Sequence, residues 1–425
     1  MEPVLTRNIR PCGPPASLAE YEAAGGYQAL RRALSAHTPA EIIKIVSDSN
    51  LRGRGGAGFP TGTKWAGLPP IETSACPRVV IANFDEMEPG TYKDRFLVEG
   101  DPHQLLEGMI IAAHACQAEL GYIFIRGEYV EPARALGRAL AEAEQAGYLG
   151  RNILGKGFNF EVHLHTSAGR YMCGEETGLL NAMQGRPATP RTKPPYAVTV
   201  GAWGLPTVVN NVETFCCVPH IIERGAEWFK GVGKAIDAGM KIYQVSGRVK
   251  RPGSFELPMG TTLRELIEEH AGGMLDGYTF RAALPGGAST MFLDTAEMEV
   301  PLDFESLKKI NCFLGTCSAI VLDDSTCIVG MVHNLQQFFA RESCGWCTPC
   351  RDGIPWIEKT LRSIEDGAGR PEDLDLLLDQ THYIHGNTFC ALALGAVVSI
   401  ESSLHKFRDD YDRHLRQHRC PWKTT

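Results

Sequence analysis

The 425-residue sequence predicts an α/β protein built from three consecutive parts. Strand-like and helix-like segments alternate up to about residue 240, which predicts a sheet covered by helices. A hairpin pattern with one helix follows, and helical periodicity dominates from residue 331 onward. We therefore expect domains at residues 1–240, 241–330 and 331–425.

The elements of the first part follow an irregular, proline-rich stretch of about forty residues. Amphipathic runs predict helices, and β-branched runs predict strands. The predicted helices are 39–49, 132–146 and 175–183, and the predicted strands are 78–83, 122–126 and 160–165. Strands that alternate with helices favour a layered α/β sheet.

The second part begins with a predicted hairpin of strands 242–249 and 255–257. A helix over 261–270 follows, with Leu263, Leu266 and Ile267 on one face, and 319–322 predicts a late strand. This piece resembles a small β-grasp, ubiquitin-like domain. The helices predicted for the third part are 332–341, 354–364, 372–383 and 391–416.

Composition narrows the class of protein. The chain has 44% hydrophobic and 22% charged residues, as in soluble globular proteins. Its net charge of −8 argues against a general affinity for nucleic acid. No signal peptide is visible at the start, and the most apolar window, 105–125, carries Glu107, His114, Gln117 and Glu119. We expect a cytoplasmic protein.

Three cysteines at a spacing of three, Cys344, Cys347 and Cys350, form the most specific motif. This spacing is typical of an iron–sulfur cluster, in which a remote cysteine supplies the fourth ligand. Structural zinc more often takes two separated pairs of ligands, and neighbouring loop cysteines cannot all pair as disulfides. An iron–sulfur site is favoured, with zinc as the alternative.

The best candidate for the remote ligand is Cys390, which follows a loop marked by Gly386 and Asn387. Cysteines upstream of the triplet are less favourable candidates for the fourth ligand. Two histidines leave a zinc site of mixed cysteine and histidine ligands as an alternative. Cys216 and Cys217 fall in a helix-like run and are expected in the core. The upstream cysteines are Cys312, Cys317 and Cys327, and the histidines are His382 and His385.

A glycine-rich loop runs from Gly53 to Gly58 and matches the pattern G-x-G-x-x-G. A dinucleotide fingerprint should follow a strand and precede an acidic residue by about twenty positions. Here a predicted helix precedes the loop, and Arg78 stands at the acidic position, so the ordinary placement is rejected. The glycines still allow backbone N–H groups to approach a phosphate or a planar ring, near the charge of Lys64. The alternative is an irregular connection.

Three further polar segments fall where strands end or helices begin: 83–88, 174–178 and 210–214. Ligands of α/β sheets bind at the carboxyl ends of strands, and helix N-termini present backbone donors. Each segment alone is compatible with a solvated surface, but the three together predict a ligand site.

These segments together resemble the NADH-binding flavoprotein family of bacterial respiratory complex I, whose members are its F subunits. The resemblance runs along the whole chain and rests on 52–64, 83–95, 171–177, 210–214 and the signature Glu-Ser-Cys-Gly-x-Cys-x-Pro-Cys-Arg-x-Gly at 342–353. It implies a Rossmann-like domain for FMN and NADH, then the β-grasp domain, then a helical bundle that carries a [4Fe–4S] cluster.

The resemblance also implies roles for individual residues. The glycine loop and Lys64 would contact FMN and NADH. The residues implied to hold FMN are Asn83, Asp85, Glu86, Asn210, Asn211 and Thr214, and those implied to line the NADH pocket are Glu88, Glu176, Lys193 and Tyr196. Further positions implied to bind cofactor are Gly53, Arg54, Gly55, Gly56, Ala57, Gly58, Phe59, Tyr171, Gly174, Glu175 and Val209. The implied cluster ligands are Cys344, Cys347, Cys350 and Cys390.

The implied activity is NADH dehydrogenase: hydride transfer from NADH to FMN, then single-electron transfer to the cluster and onward toward quinone. No side chain need act as acid or base. The implied partners are the thioredoxin-like [2Fe–2S] protein of the complex, its E subunit, and the iron–sulfur protein that is its G subunit. They would form a peripheral arm at the cytoplasmic face of the inner membrane, and the membrane would be reached only through that assembly.

Three positions depart from the family pattern: Gly67, Ser167 and Gly178. Gly67 stands where relatives often carry a bulky apolar side chain, so adenine stacking is expected to depend on Phe59 and Tyr196. We expect Ser167 and Gly178 to touch no charged group and to tune NADH affinity.

Two other functions compete with this interpretation. One is the diaphorase component of an NAD-linked hydrogenase or formate dehydrogenase, which often carries additional ferredoxin-like or thioredoxin-like segments. The other is a zinc-stabilised, non-catalytic assembly protein, which would be colourless.

Overall fold

The computed structural model describes residues 2–72 and 76–423, which form two compact units. Unit 1 comprises the described residues up to Met87, together with Tyr92–Tyr243 and Ser254–Thr261. Unit 2 comprises Glu88–Thr91, Gln244–Gly253 and the described residues from Thr262 onward. The three-part division at residues 240 and 330 stays a prediction.

Unit 1 combines a parallel sheet with ten helices among the described residues. Its strands are β1 (Val79–Phe84), β2 (Leu120–Ile125), β3 (Glu161–Thr166) and β4 (Thr207–Asn211). Its helices are α1 (Leu18–Ala23), α2 (Gln28–Ala36), α3 (Pro39–Asp48), α4 (Thr61–Ala66), α5 (Lys93–Gly100), α6 (Pro102–Cys116), α7 (Val130–Gln145), α8 (Glu176–Met183), α9 (Val212–Arg224) and α10 (Ala226–Val232). The alternation of strands and helices predicted for this part is confirmed.

The sheet has the strand order β3-β2-β1-β4, and all three strand pairs are parallel. The chain moves outward from β1 to β3 and then returns to the other side of β1. Order therefore reverses between β1 and β4, and at such a point the connections diverge and leave a crevice beyond the carboxyl ends of the strands.

The core of unit 1 explains the most apolar window of the sequence. Helix α6 is buried on nearly every side, including Glu107, whose carboxylate accepts hydrogen bonds from the Tyr27 and Leu30 N–H groups at 2.9 Å. The predicted core cysteines Cys216 and Cys217 are fully buried in α9. Within the described residues, no helix is both long enough and apolar enough to span a membrane.

The irregular start predicted for the first forty residues is wrong, because α1 and α2 form there. Ser17 caps α1 in a capping box with Glu20, which satisfies free N–H groups at its start. Val4 to Thr6 are held by the carboxylate of Glu256, which accepts their backbone N–H groups at 2.9–3.0 Å. A long-range anchor of this kind leaves no local sequence pattern.

Unit 2 contains most of the second sheet and the C-terminal helices. The strands and short helices of this region are β5 (Met240–Gly247), β6 (Gly253–Pro258), α11 (Leu263–Glu265), β7 (Phe280–Leu284), α12 (Phe304–Lys308) and β8 (Ser318–Asp323). The chain passes between the two units within β5 and within β6. The long helices are α13 (Ile328–Glu342), α14 (Thr348–Glu365), α15 (Glu372–Ile384), α16 (Leu392–Lys406) and α17 (Arg408–Gln417).

The second sheet has the order β6-β5-β8-β7, so the two strands of the predicted hairpin are neighbours. Strand β8 is parallel to β5 and antiparallel to β7. The predicted helix at 261–270 begins with Thr262 as its N-cap and continues as a π-helical turn from Leu266 to His270. Its predicted apolar face is buried, which fits a small sheet packed on one helix.

One predicted helix of the C-terminal part is wrong in its extent. The segment 391–416 forms two helices, α16 and α17, because Phe407 leaves helical geometry at φ −129° and ψ 35°. Its N–H still bonds to the Ser403 carbonyl at 2.8 Å, and its ring packs edge-on against Phe292 with the ring centroids 6.0 Å apart. The break between the two helices thus coincides with this ring contact.

Candidate functional site

Asparagines mark the point where the strand order of the first sheet reverses. Asn83 at the end of β1 lies in register with Asn211 at the end of β4. Asn83 donates from Nδ2 to the Gly174 carbonyl at 2.8 Å, and Asn211 caps α9 through the Glu213 N–H at 3.1 Å. Side-chain amides offer donors and acceptors that match the polar edge of a flavin ring.

The glycine loop lies against the same end of the sheet. The Arg54 N–H donates to Thr214 Oγ1 at 2.8 Å, and its buried guanidinium donates to the carbonyls of Ala238 and Met240 at 3.0 Å. A Cβ on Gly55 would lie 3.1 Å from Cβ of Asn211, closer than ordinary van der Waals contact. A glycine here allows backbone to approach the amide-lined edge, which fits a planar ligand such as FMN.

Lys64 connects two of the predicted residues. Its Nζ lies 2.8 Å from Oε1 of Glu176 and donates to the Val209 carbonyl at 2.9 Å. The next residue, Trp65, donates from Nε1 to Oδ1 of Asn210 at 2.9 Å. Helix α4 thus places a cation and an indole beside the end of β4.

Two departures from the family pattern do touch carboxylates, so the expectation for them was wrong. Ser167 donates from Oγ to Oδ2 of Asp85 at 2.7 Å, and the Gly178 N–H donates to Oε2 of Glu175 at 2.7 Å. Glu175 is the N-cap of α8, which explains the second contact. Their effect on NADH affinity stays a prediction.

Glu86 is held by the first turn of α5. Its carboxylate accepts the N–H groups of Asp94 and Arg95 at 2.9 and 3.2 Å and the Tyr129 hydroxyl at 3.0 Å. Burial, and then the neighbouring Asp94 carboxylate, raise the pKa of Glu86 to about 7. These contacts position the turn after β1, and a direct contact with FMN stays a prediction.

A buried charge cluster behind Asn211 was missed by sequence reasoning. Lys93 Nζ bonds to Oδ1 of Asn211 at 3.0 Å, and Asn211 Nδ2 donates to Oδ2 of Asp94 at 2.6 Å. Lys93 also pairs with Glu213 at 3.0 Å, as does Lys241. Burial alone would raise the pKa of Glu213, but Lys241, Lys93 and Arg54 lower it to about 2. The signal was present as adjacent opposite charges, Lys93-Asp94, inside a buried helix.

The remaining predicted residues of unit 1 lie in loops and turns. Phe59 and Tyr196, expected to stack on adenine, are 53% and 58% exposed. Lys193 Nζ lies 3.1 Å from Oε1 of Glu175, and Tyr171 and Gly174 form a short 3₁₀ turn before α8. The other loop positions, Gly53, Gly56, Ala57 and Gly58, connect Arg52 to Pro60, which form an isolated bridge.

Glu88 belongs to unit 2, unlike the other predicted FMN and NADH residues. Its Oε1 accepts hydrogen bonds from the N–H and Oγ of Ser289 at 2.7 and 2.8 Å. Its assignment to the NADH pocket stays a prediction.

The predicted cluster cysteines are in unit 2, between α13 and α16. Cys344 and Cys347 precede α14, and Cys350 falls in its first turn. The Phe389 N–H lies 3.4 Å from Sγ of Cys347, which brings the loop of Cys390 to the triplet. Burial, and then the neighbouring Cys344 and Cys347, raise the pKa of Cys350. Four thiols from two loops that meet in this way fit the donor set of a [4Fe–4S] cluster.

Three family models match the chain. The Nuo51 FMN-binding domain matches residues 46–220, and the SLBB domain matches residues 242–292. The iron-sulfur binding region of NADH-ubiquinone oxidoreductase-F matches residues 330–414. The first match contains the glycine loop and the end of the parallel sheet, and the third contains all four predicted cluster ligands.

Curated relatives are similar over nearly the whole chain. The second F subunit (F 2) of the NADH-quinone oxidoreductase of Rhizobium meliloti (strain 1021) is 50% identical over 99% of this chain and 99% of its own length. The F subunit of the NADH-quinone oxidoreductase of Escherichia coli (strain K12) is 52% identical over 97% of this chain and 93% of its own.

A solved structure also resembles the chain in fold. It is an NAD⁺-reducing [NiFe]-hydrogenase in the H₂-reduced state, with a TM-score of 0.81 and 35% sequence identity. The match covers 93% of this chain and 65% of the hydrogenase chain.

Proposed function

Because the chain belongs to the family of NADH-quinone oxidoreductase F subunits, we propose the following roles for its residues. The protein is the NADH dehydrogenase module of its complex: it oxidises NADH with FMN and passes electrons through a [4Fe–4S] cluster toward quinone. Bound FMN supplies a centre that takes two electrons together and releases them singly. The chain's own residues bind FMN and NADH, orient them and shield them from water.

The observation that carries this proposal is the amide-lined edge at the β1/β4 reversal, with the glycine loop packed on it. Asn83, Asn211 and the N–H groups of the loop would hold the polar edge and phosphate of FMN. The Lys93–Asp94 pair fixes both ends of the Asn211 amide, so that this amide is oriented before a ligand arrives. Side chains that are already oriented in this way raise the affinity for a ligand, because less conformational entropy is lost on binding.

Glu176 and Lys64 are proposed to select NADH over NADPH. Glu176 would accept the ribose hydroxyls and repel a 2′-phosphate, while its partner Lys64 remains 2.8 Å away. In Glu176→Ala, Lys64 loses its carboxylate and gains freedom to meet that phosphate. We expect the ratio of kcat/KM for NADH to that for NADPH to fall by roughly tenfold or more, since one charge at ~4 Å is worth about 1–4 kcal/mol.

The test measures reduction of ferricyanide by the purified, FMN-loaded protein with each nucleotide. Glu131→Ala is the matched control, because Glu131 is an exposed carboxylate on α7 that also pairs with a cation, Arg134. The control should keep the wild-type ratio. An unchanged ratio in Glu176→Ala would remove Glu176 from the NADH pocket.

Members of this family work in multi-subunit complexes with iron–sulfur partners. We propose that the partners here are the thioredoxin-like [2Fe–2S] protein and the iron–sulfur protein that serve as the E and G subunits, in a peripheral arm at the cytoplasmic face of the inner membrane. Family membership supports this assignment. Co-purification of a tagged chain, followed by identification of the associated proteins, tests it.

A diaphorase role in a hydrogenase is the second candidate, because the fold also matches an NAD⁺-reducing [NiFe]-hydrogenase. The two candidates share the NADH, FMN and cluster chemistry and differ in the partner that accepts the electrons. Recovery of hydrogenase subunits in the same co-purification would favour the diaphorase.

A further inference from the structure

A second group of ligand-type side chains lies in unit 2, made of residues other than the predicted cluster cysteines. Cys327, Glu365, His414 and Cys420 each present one ligand atom, and these four atoms all lie within 4.8 Å of one another. Among the residues that the structure describes, no other group of three or more cysteine, histidine or carboxylate atoms is as compact. We propose that this group binds one Zn²⁺ ion in a closed, structural site.

The distances agree with the edges of a zinc tetrahedron. Bonds of about 2.3 Å to sulfur and about 2.0 Å to nitrogen or oxygen place the ligands about 3.8 Å (S to S), about 3.6 Å (S to N or O) and about 3.3 Å (N to O) apart. Sγ of Cys327 lies 3.6 Å from Sγ of Cys420 and 3.4 Å from Nε2 of His414. Oε2 of Glu365 lies 3.6 Å from Sγ of Cys327 and 3.0 Å from Nε2 of His414.

Hydrogen bonds and an ion pair around the four proposed ligands orient them for a bound cation. Nδ1 of His414 lies 2.7 Å from the Asp410 carbonyl, which places its proton there and leaves the Nε2 lone pair facing the group. Cys327 is the N-cap of α13, and its Sγ accepts the Gly330 N–H at 3.2 Å, a backbone hydrogen bond that would orient the sulfur toward a bound ion. Lys423 pairs with the other carboxylate oxygen of Glu365 at 3.1 Å.

Charge and chemistry favour zinc over the alternatives. Two thiolates and a carboxylate balance Zn²⁺ with one negative charge left over, which Lys423 offsets; binding releases the two thiol protons to water. Mixed sulfur, nitrogen and oxygen ligands in a tetrahedron are typical of zinc. A disulfide requires about 2.05 Å between sulfurs, and the sulfurs of Cys327 and Cys420 lie 3.6 Å apart.

The proposed ion connects three separate segments of unit 2. Cys327 precedes α13, Glu365 ends α14, His414 lies on α17, and Cys420 follows α17. Glu365, His414 and Cys420 are buried, so an ion held here is shielded from water. With four protein ligands and no open position, the site would hold the C-terminal segment on the α13–α14 pair and would not act as a catalyst.

X-ray absorption at the zinc edge tests the proposal on the purified holoprotein, because the iron of the cluster does not contribute at that edge. We expect about one zinc per chain, with two sulfur neighbours at about 2.3 Å and two nitrogen or oxygen neighbours at about 2.0 Å. Four sulfur neighbours would instead locate the zinc at the iron–sulfur loop and overturn the proposal. So would protein that holds no stoichiometric zinc after incubation with zinc sulfate and desalting.

Variants provide the second measurement. Cys420→Ser should lower zinc per chain about tenfold or more, while iron and acid-labile sulfide stay at the wild-type level. Cys312→Ser is the matched control, since Cys312 is another buried cysteine of unit 2 outside the group, and it should retain zinc. Unchanged zinc in Cys420→Ser, or a Cys327–Cys420 disulfide in peptide maps of the unreduced protein, would overturn the proposal.

Discussion

The two cysteine-containing sites of unit 2 differ in how the chain assembles them. The iron–sulfur site takes three of its four predicted ligands from seven consecutive residues between α13 and the first turn of α14, and adds Cys390. The proposed zinc site takes its ligands from three distant segments: Cys327 is 38 residues from Glu365 and 87 residues from His414, and Cys420 follows His414 by six residues. The first is a sequence motif, and the second exists only in the folded unit.

The two sites lie at opposite ends of helix α13. Helix α13 runs from Cys327 at its start to the cysteine triplet beyond its end, about 22 Å at about 1.5 Å per residue. Three of the four predicted cluster ligands are half-buried, all except Cys350, which suits a cluster that exchanges electrons with a partner; three of the four proposed zinc ligands are buried, all except Cys327. The two sites should therefore lose their metals independently.

The largest expected effect is that of Cys390→Ser. Loss of the fourth thiolate should abolish or strongly weaken the low-temperature EPR signal of the reduced cluster and lower iron and sulfide, because a hydroxyl is a poor replacement for a thiolate ligand. Zinc per chain should not change. Loss of the signal in the control Cys312→Ser, with retention in Cys390→Ser, would move the fourth ligand to an upstream cysteine.

An intermediate effect is expected for His414→Ala. The variant should lose zinc, and the free energy of unfolding should fall by about 1–3 kcal/mol, because the buried Glu365 carboxylate loses its His414 hydrogen bond and keeps only the one to Lys423 among its charged-group contacts. Urea denaturation followed by circular dichroism measures this change, and the cluster EPR signal should remain.

His405→Ala is the matched control for this variant. Nδ1 of His405 lies 2.6 Å from the carbonyl four residues earlier, and Nδ1 of His414 makes the same type of contact, but His405 is exposed and outside the metal group. Equal destabilisation by the two variants would show that the zinc site adds nothing beyond the helix contact.

The smallest effect is expected for Gly345→Ala in the iron–sulfur loop. Gly345 has φ +78° and no atom closer than 3.9 Å to an added Cβ, so the cost is backbone strain of about 1–2 kcal/mol. The urea midpoint for loss of the cluster's visible absorbance should fall, with zinc retained. Gly273→Ala is the control, because Gly273 has a similar φ of +83° and no atom within 4 Å of an added Cβ. In this variant the urea midpoint for cluster loss should not change relative to the midpoint for global unfolding.

Much of the candidate site in unit 1 could be predicted, because its residues follow strand ends and helix starts that have local patterns. Asn83, Asn211 and Glu175 were expected at such termini, and they lie there. The Lys93–Asp94–Glu213–Lys241 cluster was not expected: Lys93 and Asp94 are adjacent in sequence, but Glu213 and Lys241 come from distant segments, and each charge alone resembles a surface residue. The contact of Ser167 with Asp85 was missed for the same reason.

The sequence by itself determined the cysteine triplet, the alternation of strands and helices, and the positions of the long C-terminal helices, because these depend on residues within a few turns of one another. It did not determine the break at Phe407, the reversal of strand order beside β1, or the meeting of Cys327, Glu365, His414 and Cys420. Those features depend on which buried faces pack together across each unit. Packing free energy is summed over many distant contacts, so only the tertiary structure decides them.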